Sequence, residues 1–288
     1  YARFGQGDGA LGQCVAALPE VRRLFGVSEV WSYANTGYWL AGDLCARRAG
    51  TSYEEALAEH VLRPAGMRAT SFAEPDLEGV GIDLPPIPYP RARRPSGGLV
   101  STVEDVVRFG AWHLARRESA AQRVVAGKPI GGVYGFGLFG ERVNGIEVWG
   151  HPGSYGGFST SLLTVPDRGA VFAGLTNSER GNRALDRIED AWLTDVVGAP
   201  RRVPARLDLP ADALAAFAGR YATQDGVVEI EPAAGGLRVV LPDGSAVGAH
   251  AIGERTFALS EGDEAGMRFD FPRPGFARIG SRAVEQIP

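Results

Sequence analysis

Lysine is nearly absent. Of 30 basic residues one is lysine, Lys128, and the other 29 are arginine. Chemistry that needs an amine side chain therefore has one candidate in this chain. Cysteine is scarce too. Cys14 and Cys45 allow one disulfide at most and form no Cys-x-x-Cys pair. Four histidines, at 60, 113, 151 and 250, lie scattered, so no zinc site with clustered ligands at defined spacing is visible. No apolar run approaches the ~18 residues that a membrane helix needs. The opening Tyr1-Ala2-Arg3-Phe4-Gly5 has neither the basic start nor the apolar core of a signal peptide. The net charge of −4 gives no reason to expect nucleic acid or an anionic membrane as partner.

What remains is an ordinary globular composition, 44% apolar and 22% charged, in a chain long enough for one large or two unequal domains. Apolar positions three or four apart over 10–25 predict a short helix interrupted near Pro19. A second helix is expected over 36–49, ended by Gly50. Ser52 with Glu55, and Ser101 with Glu104, read as capping boxes opening helices that reach about Arg63 and Arg117. The proline-rich stretch 72–97 reads as a long loop, of the kind that is usually functional. From Gly131 the texture changes. Runs at 133–139, 146–149, 158–165 and 170–175 predict consecutive antiparallel strands, followed by an amphipathic helix over 183–197. Residues 200–210 carry prolines and arginines and read as an exposed linker. Beyond it, short alternating runs separated by turn residues predict a small all-β module, a barrel or a folded sheet.

Three segments hold the polar residues that could carry chemistry: 31–38 (Trp-Ser-Tyr-Ala-Asn-Thr-Gly-Tyr), 95–102 (Pro-Ser-Gly-Gly-Leu-Val-Ser-Thr) and 150–159 (Gly-His-Pro-Gly-Ser-Tyr-Gly-Gly-Phe-Ser). In the first, Tyr33 and Asn35 stand two apart before a helix. An extended turn would aim both to one side, where a phenol and an amide can hold protons over a cleft. The competing reading is a packed Tyr and a helix-capping Asn. In the third, glycines flank His151 and Ser154. They suit close approach of a ligand and a backbone oxyanion donor, or equally a Gly-rich hairpin with a surface histidine. Pro152, two before Ser154, breaks the Gly-x-Ser-x-Gly elbow of α/β-hydrolases.

In order and context these segments resemble the serine β-lactamase and D-alanyl-D-alanine carboxypeptidase family, particularly its class C-like branch. Tyr33-Ala34-Asn35 is similar to that family's Tyr-x-Asn element. His151-Pro152-Gly153 resembles its Lys-Thr-Gly strand element in His-x-Gly form. Tyr38-Trp39-Leu40, 62–67, 70–72 and 96–101 are also similar. The module after 210 resembles the lipocalin-like C-terminal domain of many members. The resemblance implies an α+β fold: a β-lactamase/transpeptidase-like domain (1–199) of antiparallel sheet plus helical region, the linker, and a lipocalin-like barrel (211–288). It implies acyl-enzyme catalysis on a peptide, ester or amide, with no metal or organic cofactor. Tyr33 would be general base and acid. Asn35 would bind the substrate amide, Ser154 would give its backbone N–H to the oxyanion, and His151 would line the site. Gly153, Tyr155 and Gly156 would contact substrate.

One departure is large. The family's nucleophile lies in a Ser-x-x-Lys element. Here Val125 stands three residues before Lys128, and no Ser-x-x-Lys exists in the chain. The expectation is that a preceding N-terminal segment of the same protein carries it, and that this chain alone is inactive. A thioesterase or cyclase releasing nonribosomal peptides, and a non-catalytic binding module, are the alternatives. Tyr33, Asn35, His151 and Ser154 are expected to converge.

Overall fold

The computed structural model describes residues 4–72, 89–116, 132–178, 181–261 and 265–288. They form two compact units. One holds the described residues within Tyr1–Leu24, Ala34–Val125 and Tyr134–Arg201. The other holds those within Phe25–Tyr33, Ala126–Val133 and Arg202–Pro288. The second unit is thus discontinuous in sequence.

The first unit is built on an antiparallel sheet of β1 (Val133–Gly135), β2 (Leu138–Val143), β3 (Ile146–Tyr155), β4 (Phe158–Val165) and β5 (Ala170–Thr176), adjacent in chain order. The alternating run 133–139 is two strands rather than one. Phe136 and Gly137 take φ of +49° and +85° and turn the chain between β1 and β2. The helices are α1 (Ala10–Ala16), α2 (Asn35–Ala49), α3 (Tyr53–Leu57), α4 (Val103–Ala115) and α5 (Gly181–Trp192). Gly50 ends α2 at φ +68°, where a side chain would be strained. Ser52 Oγ caps α3 by accepting from the Glu55 N–H at 3.1 Å, and the segment continues as a π-turn over Ala58–Leu62. The same wider turn, Leu193–Val197, follows α5.

The second capping box is displaced. Thr102, not Ser101, caps α4, its hydroxyl accepting from the Asp105 N–H at 3.3 Å. Ser101 Oγ is instead 2.8 Å from the Thr70 hydroxyl, which donates to the buried Asp105 carboxylate. Both 101 and 102 carry hydroxyls, and tertiary bonding takes the first. Most of the loop read over 72–97 lies outside the described residues. Its described end, Arg91–Ser96, is a 3₁₀ turn.

One face of the sheet packs Val143, Val148, Leu163 and Val165 against Leu193 and Val197. Helix α4 lies on β4 and β5. It approaches so closely that a Cβ on Gly110 would meet Val171 Cγ1 at 2.5 Å.

In the second unit, α6 (Ala211–Ala215) precedes β6 (Gly219–Thr223), β7 (Gly226–Ala233), β8 (Gly236–Val240), β9 (Ala246–Gly253), β10 (Thr256–Leu259), β11 (Arg268–Arg273), β12 (Phe276–Ile279) and β13 (Arg282–Ile287). Each strand pairs with the next, and β13 returns to β6 to close an eight-stranded up-and-down barrel. Closure leaves no strand edge to protect. Alternate side chains point inward, and aromatics fill the interior. Phe217, just after α6, stacks on Phe271 at 4.5 Å and meets Phe257 edge-on at 5.2 Å.

Candidate active site

The two-residue turns bracketing β3 decide what that strand exposes. Asn144-Gly145 and Gly156-Gly157 have φ of +50°, +87° and +55°, +88°, as tight primed hairpins require. The pairs that close such turns exchange both backbone hydrogen bonds, and the pattern alternates from there. From Val143↔Ile146, residues Ile146, Val148 and Gly150 bond to β2; from Tyr155↔Phe158, residues Tyr155, Gly153, His151 and Trp149 bond to β4. Pairing with β2 stops at Phe139↔Gly150. Beyond it, the Ser154 N–H points to the side that β2 has left. Pro152 points the same way, which is why a proline fits mid-strand: no ladder bond is required of it.

His151 is half-buried on β3, not a surface residue. Its ring lies 5.2 Å from that of Phe139 and 6.2 Å from that of Tyr134. Burial pushes its pKa below the ordinary imidazole value, against a smaller upward effect of the Pro152 carbonyl. The ring is therefore neutral near pH 7. With Nδ1 donating to the Pro152 carbonyl at 2.5 Å, Nε2 is left as an acceptor. Ser154 is exposed, and Gly153, Tyr155 and Gly156 are half-buried beside it.

The helix-capping reading of Asn35 does not hold. The N-cap is Ala34, with no side-chain capping bond, and Asn35 is the first helical residue. Its Oδ1 is buried and has no hydrogen-bond partner among the described residues. A turn further along α2, the Tyr38 hydroxyl lies 2.9 Å from that of Tyr134, whose ring faces His151. One phenol pair thus ties the helix of the first motif to β1, whose Tyr134 ring lies beside His151 of the third. Ser96 of the second motif joins them: its Oγ accepts from Trp39 Nε1 at 2.8 Å and lies 3.1 Å from the Tyr89 hydroxyl. Tyr89 meets Tyr155 edge-on at 4.8 Å, and the Arg93 guanidinium lies over both rings. Gly98, at φ +82°, leaves room for Tyr89, whose ring a Cβ there would strike at 2.4 Å. Tyr33 belongs to the barrel unit, where its N–H donates to the Ser281 carbonyl at 2.9 Å.

Tyr134, Phe139 and Tyr89 were not singled out from sequence, and Tyr38 entered only as part of the family-like Tyr38-Trp39-Leu40, with no site role. Tyr38 closes the first motif segment, and Tyr134 with Phe139 belongs to the aromatic-glycine run before β3. Tyr89 sits among prolines with no periodic signal.

The Beta-lactamase family matches residues 3–243. The chain belongs to that family. It is 28% identical over 258 residues to penicillin-binding protein 4 of Amycolatopsis lactamdurans, covering 77% of this chain and 67% of that protein. It is 25% identical over 191 residues to a D-aminopeptidase of Cereibacter sphaeroides, covering 58% of this chain and 37% of the relative. The chain thus spans about two thirds of the first relative and well under half of the second. Among solved structures, SurE with D-Leu superposes with a TM-score of 0.73 at 23% identity, over 98% of this chain and 73% of that one. A D-stereospecific amidohydrolase from Streptomyces sp. superposes with a TM-score of 0.53 at 23% identity, over 69% and 63%.

Proposed function

We propose that this chain forms the substrate-binding and oxyanion-holding part of a serine hydrolase that works through an acyl-enzyme on a peptide, ester or amide. The observation that carries the reading is the edge of β3 beyond Gly150, where its pairing with β2 stops while its pairing with β4 continues. It presents a backbone N–H at Ser154, with the half-buried, neutral His151 three residues before it on the same strand. Preorganised N–H groups of this kind stabilise the charge that develops on an attacked carbonyl. The orphan Oδ1 of Asn35 suits a substrate amide N–H, since a buried acceptor without a partner is costly unless a ligand satisfies it. His151 has no standing charge at neutral pH. It would serve as a hydrogen-bond acceptor through Nε2, where the family's lysine supplies a cation. Tyr33 would be the general base and acid. The D-aminopeptidase relatives favour a substrate with a D-residue on the acyl side. The barrel would be the family's lipocalin-like domain.

The nucleophilic serine and its lysine would be supplied from outside these residues, because no Ser-x-x-Lys is present among them. Mass spectrometry after fluorophosphonate or penicillin treatment tests this. The 288-residue chain should remain unlabelled. A longer gene product containing an upstream Ser-x-x-Lys should take one adduct, on that serine. A stoichiometric adduct on Ser154, or on any other serine of this chain, would overturn the proposal.

A further inference from the structure

We infer that the barrel is the clamp that fixes Tyr33, and that Arg282 is a positioning residue for its ring. The inference deepens the functional reading, because it rests on Tyr33 being the catalytic tyrosine.

Residues 25–33 belong to the barrel unit although more than 160 residues separate them from Arg202, where the segment that carries the barrel strands begins. The attachment is continuous. At one end Phe25 packs on Phe276 at 4.8 Å, with the Arg273 guanidinium 5.0 and 4.5 Å from the two ring centres. At the other, three successive residues are each held by a polar bond. The Trp31 carbonyl accepts from Arg278 Nη1 at 3.2 Å. Ser32 Oγ accepts from the Ala283 N–H at 3.0 Å. The Tyr33 N–H donates to the Ser281 carbonyl at 2.9 Å. The Arg282 guanidinium then lies 5.3 Å from the centre of the Tyr33 ring, within cation–π range.

Two features show that holding this segment has a cost. Arg278 is only 6% exposed and is paired with Asp270 across β11 and β12. A buried ion pair is seldom a net stabiliser, yet this one leaves Nη1 aimed at a backbone carbonyl of the segment. The turn from β12 to β13 is Gly280-Ser281, at φ +54° and +67°. Gly280 adopts this freely, whereas Ser281 is a non-glycine residue in the left-handed region. Such residues persist where the surroundings over-determine them, and they cluster at functional sites. Here the strained residue is the one whose carbonyl receives the Tyr33 N–H. The polar bonds fix the backbone of 31–33, and Arg282 fixes the face of the ring. A catalytic group displaced by an ångström loses much of its rate.

Hydrogen exchange and turnover of a D-amino acid p-nitroanilide, both on a form of the protein that includes a Ser-x-x-Lys element, test the inference. The Tyr33 amide should exchange as slowly as those of β12 and β13, and at least about tenfold faster in Ser32→Ala and Arg282→Ala. Arg282→Ala should lower kcat about tenfold with KM within twofold, and Arg282→Lys, which keeps the cation, should restore most of the loss. A Tyr33 amide that exchanges freely in the parent, or is unmoved by either variant, overturns the clamp. An unchanged kcat in Arg282→Ala, with Tyr33→Phe inactive, overturns the role of Arg282. Full activity in Tyr33→Phe overturns instead the reading of Tyr33 as catalytic; the exchange data then judge the clamp alone.

Discussion

Asn35 is a helix-start asparagine that does not cap its helix. A capping asparagine would spend its oxygen on a backbone N–H; this one keeps it buried and unspent. Asn35→Ala should therefore leave the folded chain as stable as the parent, or slightly more so, since it removes an unsatisfied buried acceptor. On the proposed function, it should lower kcat/KM by roughly tenfold to a hundredfold in a form of the protein that carries a Ser-x-x-Lys element. Urea titration and steady-state kinetics read the two halves. Glu54 is the opposite case, a carboxylate wholly committed to structure. Burial alone would raise its pKa, but hydrogen bonds from Arg91 and Arg94 outweigh that and hold it at about 2. A depressed carboxylate contributes stability that is complete above its unfolded value near 4.5 and fades as pH falls through about 2. Unfolding free energy measured from pH 6 to 2 should fall through this window. In Glu54→Gln that part of the acid slope should vanish. The segments that hold Tyr33, Asn35, His151 and Ser154 were legible in the sequence because their order and local context carry the family resemblance. The aromatic residues that join the motifs were not, because a phenol pair between Tyr38 and Tyr134, 96 residues apart, leaves no local trace.

At the level of elements, the pattern of strands was readable from alternation and turn residues, and the cap of α4 was not. Ser101 and Thr102 both satisfy the local rule, and only the distant Thr70 and Asp105 decide between them. Thr102→Ala should cost about 1 kcal/mol as a lost N-cap, checked by thermal or urea unfolding. Glu104, read as the reciprocal partner in the capping box, has no such role here, so Glu104→Ala should fall within about 0.5 kcal/mol of the parent. The barrel strands were legible for the same reason as the sheet, since inward aromatics alternate with exposed charges. Closure of β13 onto β6 was not, because pairing between the first and last strands is a property of the whole circuit.

The whole molecule departs most from a linear reading of domains. The linker residues at 200–210 are not equally free. Arg201 is ion-paired with Glu141 and Asp190, and Leu207 bridges to Ala251 on β9. Between them Val203 is 91% exposed. Limited trypsin digestion should cut first after Arg202. The two fragments should still elute together on gel filtration, because residues 25–33 travel with the N-terminal fragment while their partners lie on the barrel. Separation without denaturant would show that the attachment of that segment is weak.

The same discontinuity has a consequence for how the protein is made. Synthesis runs from the N-terminus, and residues 25–33 leave the ribosome some 250 residues before Ser281, Arg282 and Ala283. During that interval Tyr33 has no hairpin to hold it. The strand that closes the barrel follows the other seven in the chain, and the turn that leads into it carries the carbonyl that receives the Tyr33 amide. A chain that stops short of β13 therefore has both an open barrel and an unheld tyrosine. Closing of the barrel and seating of Tyr33 are therefore coupled, so a product truncated before β13 contains Tyr33 but lacks the hairpin that holds it.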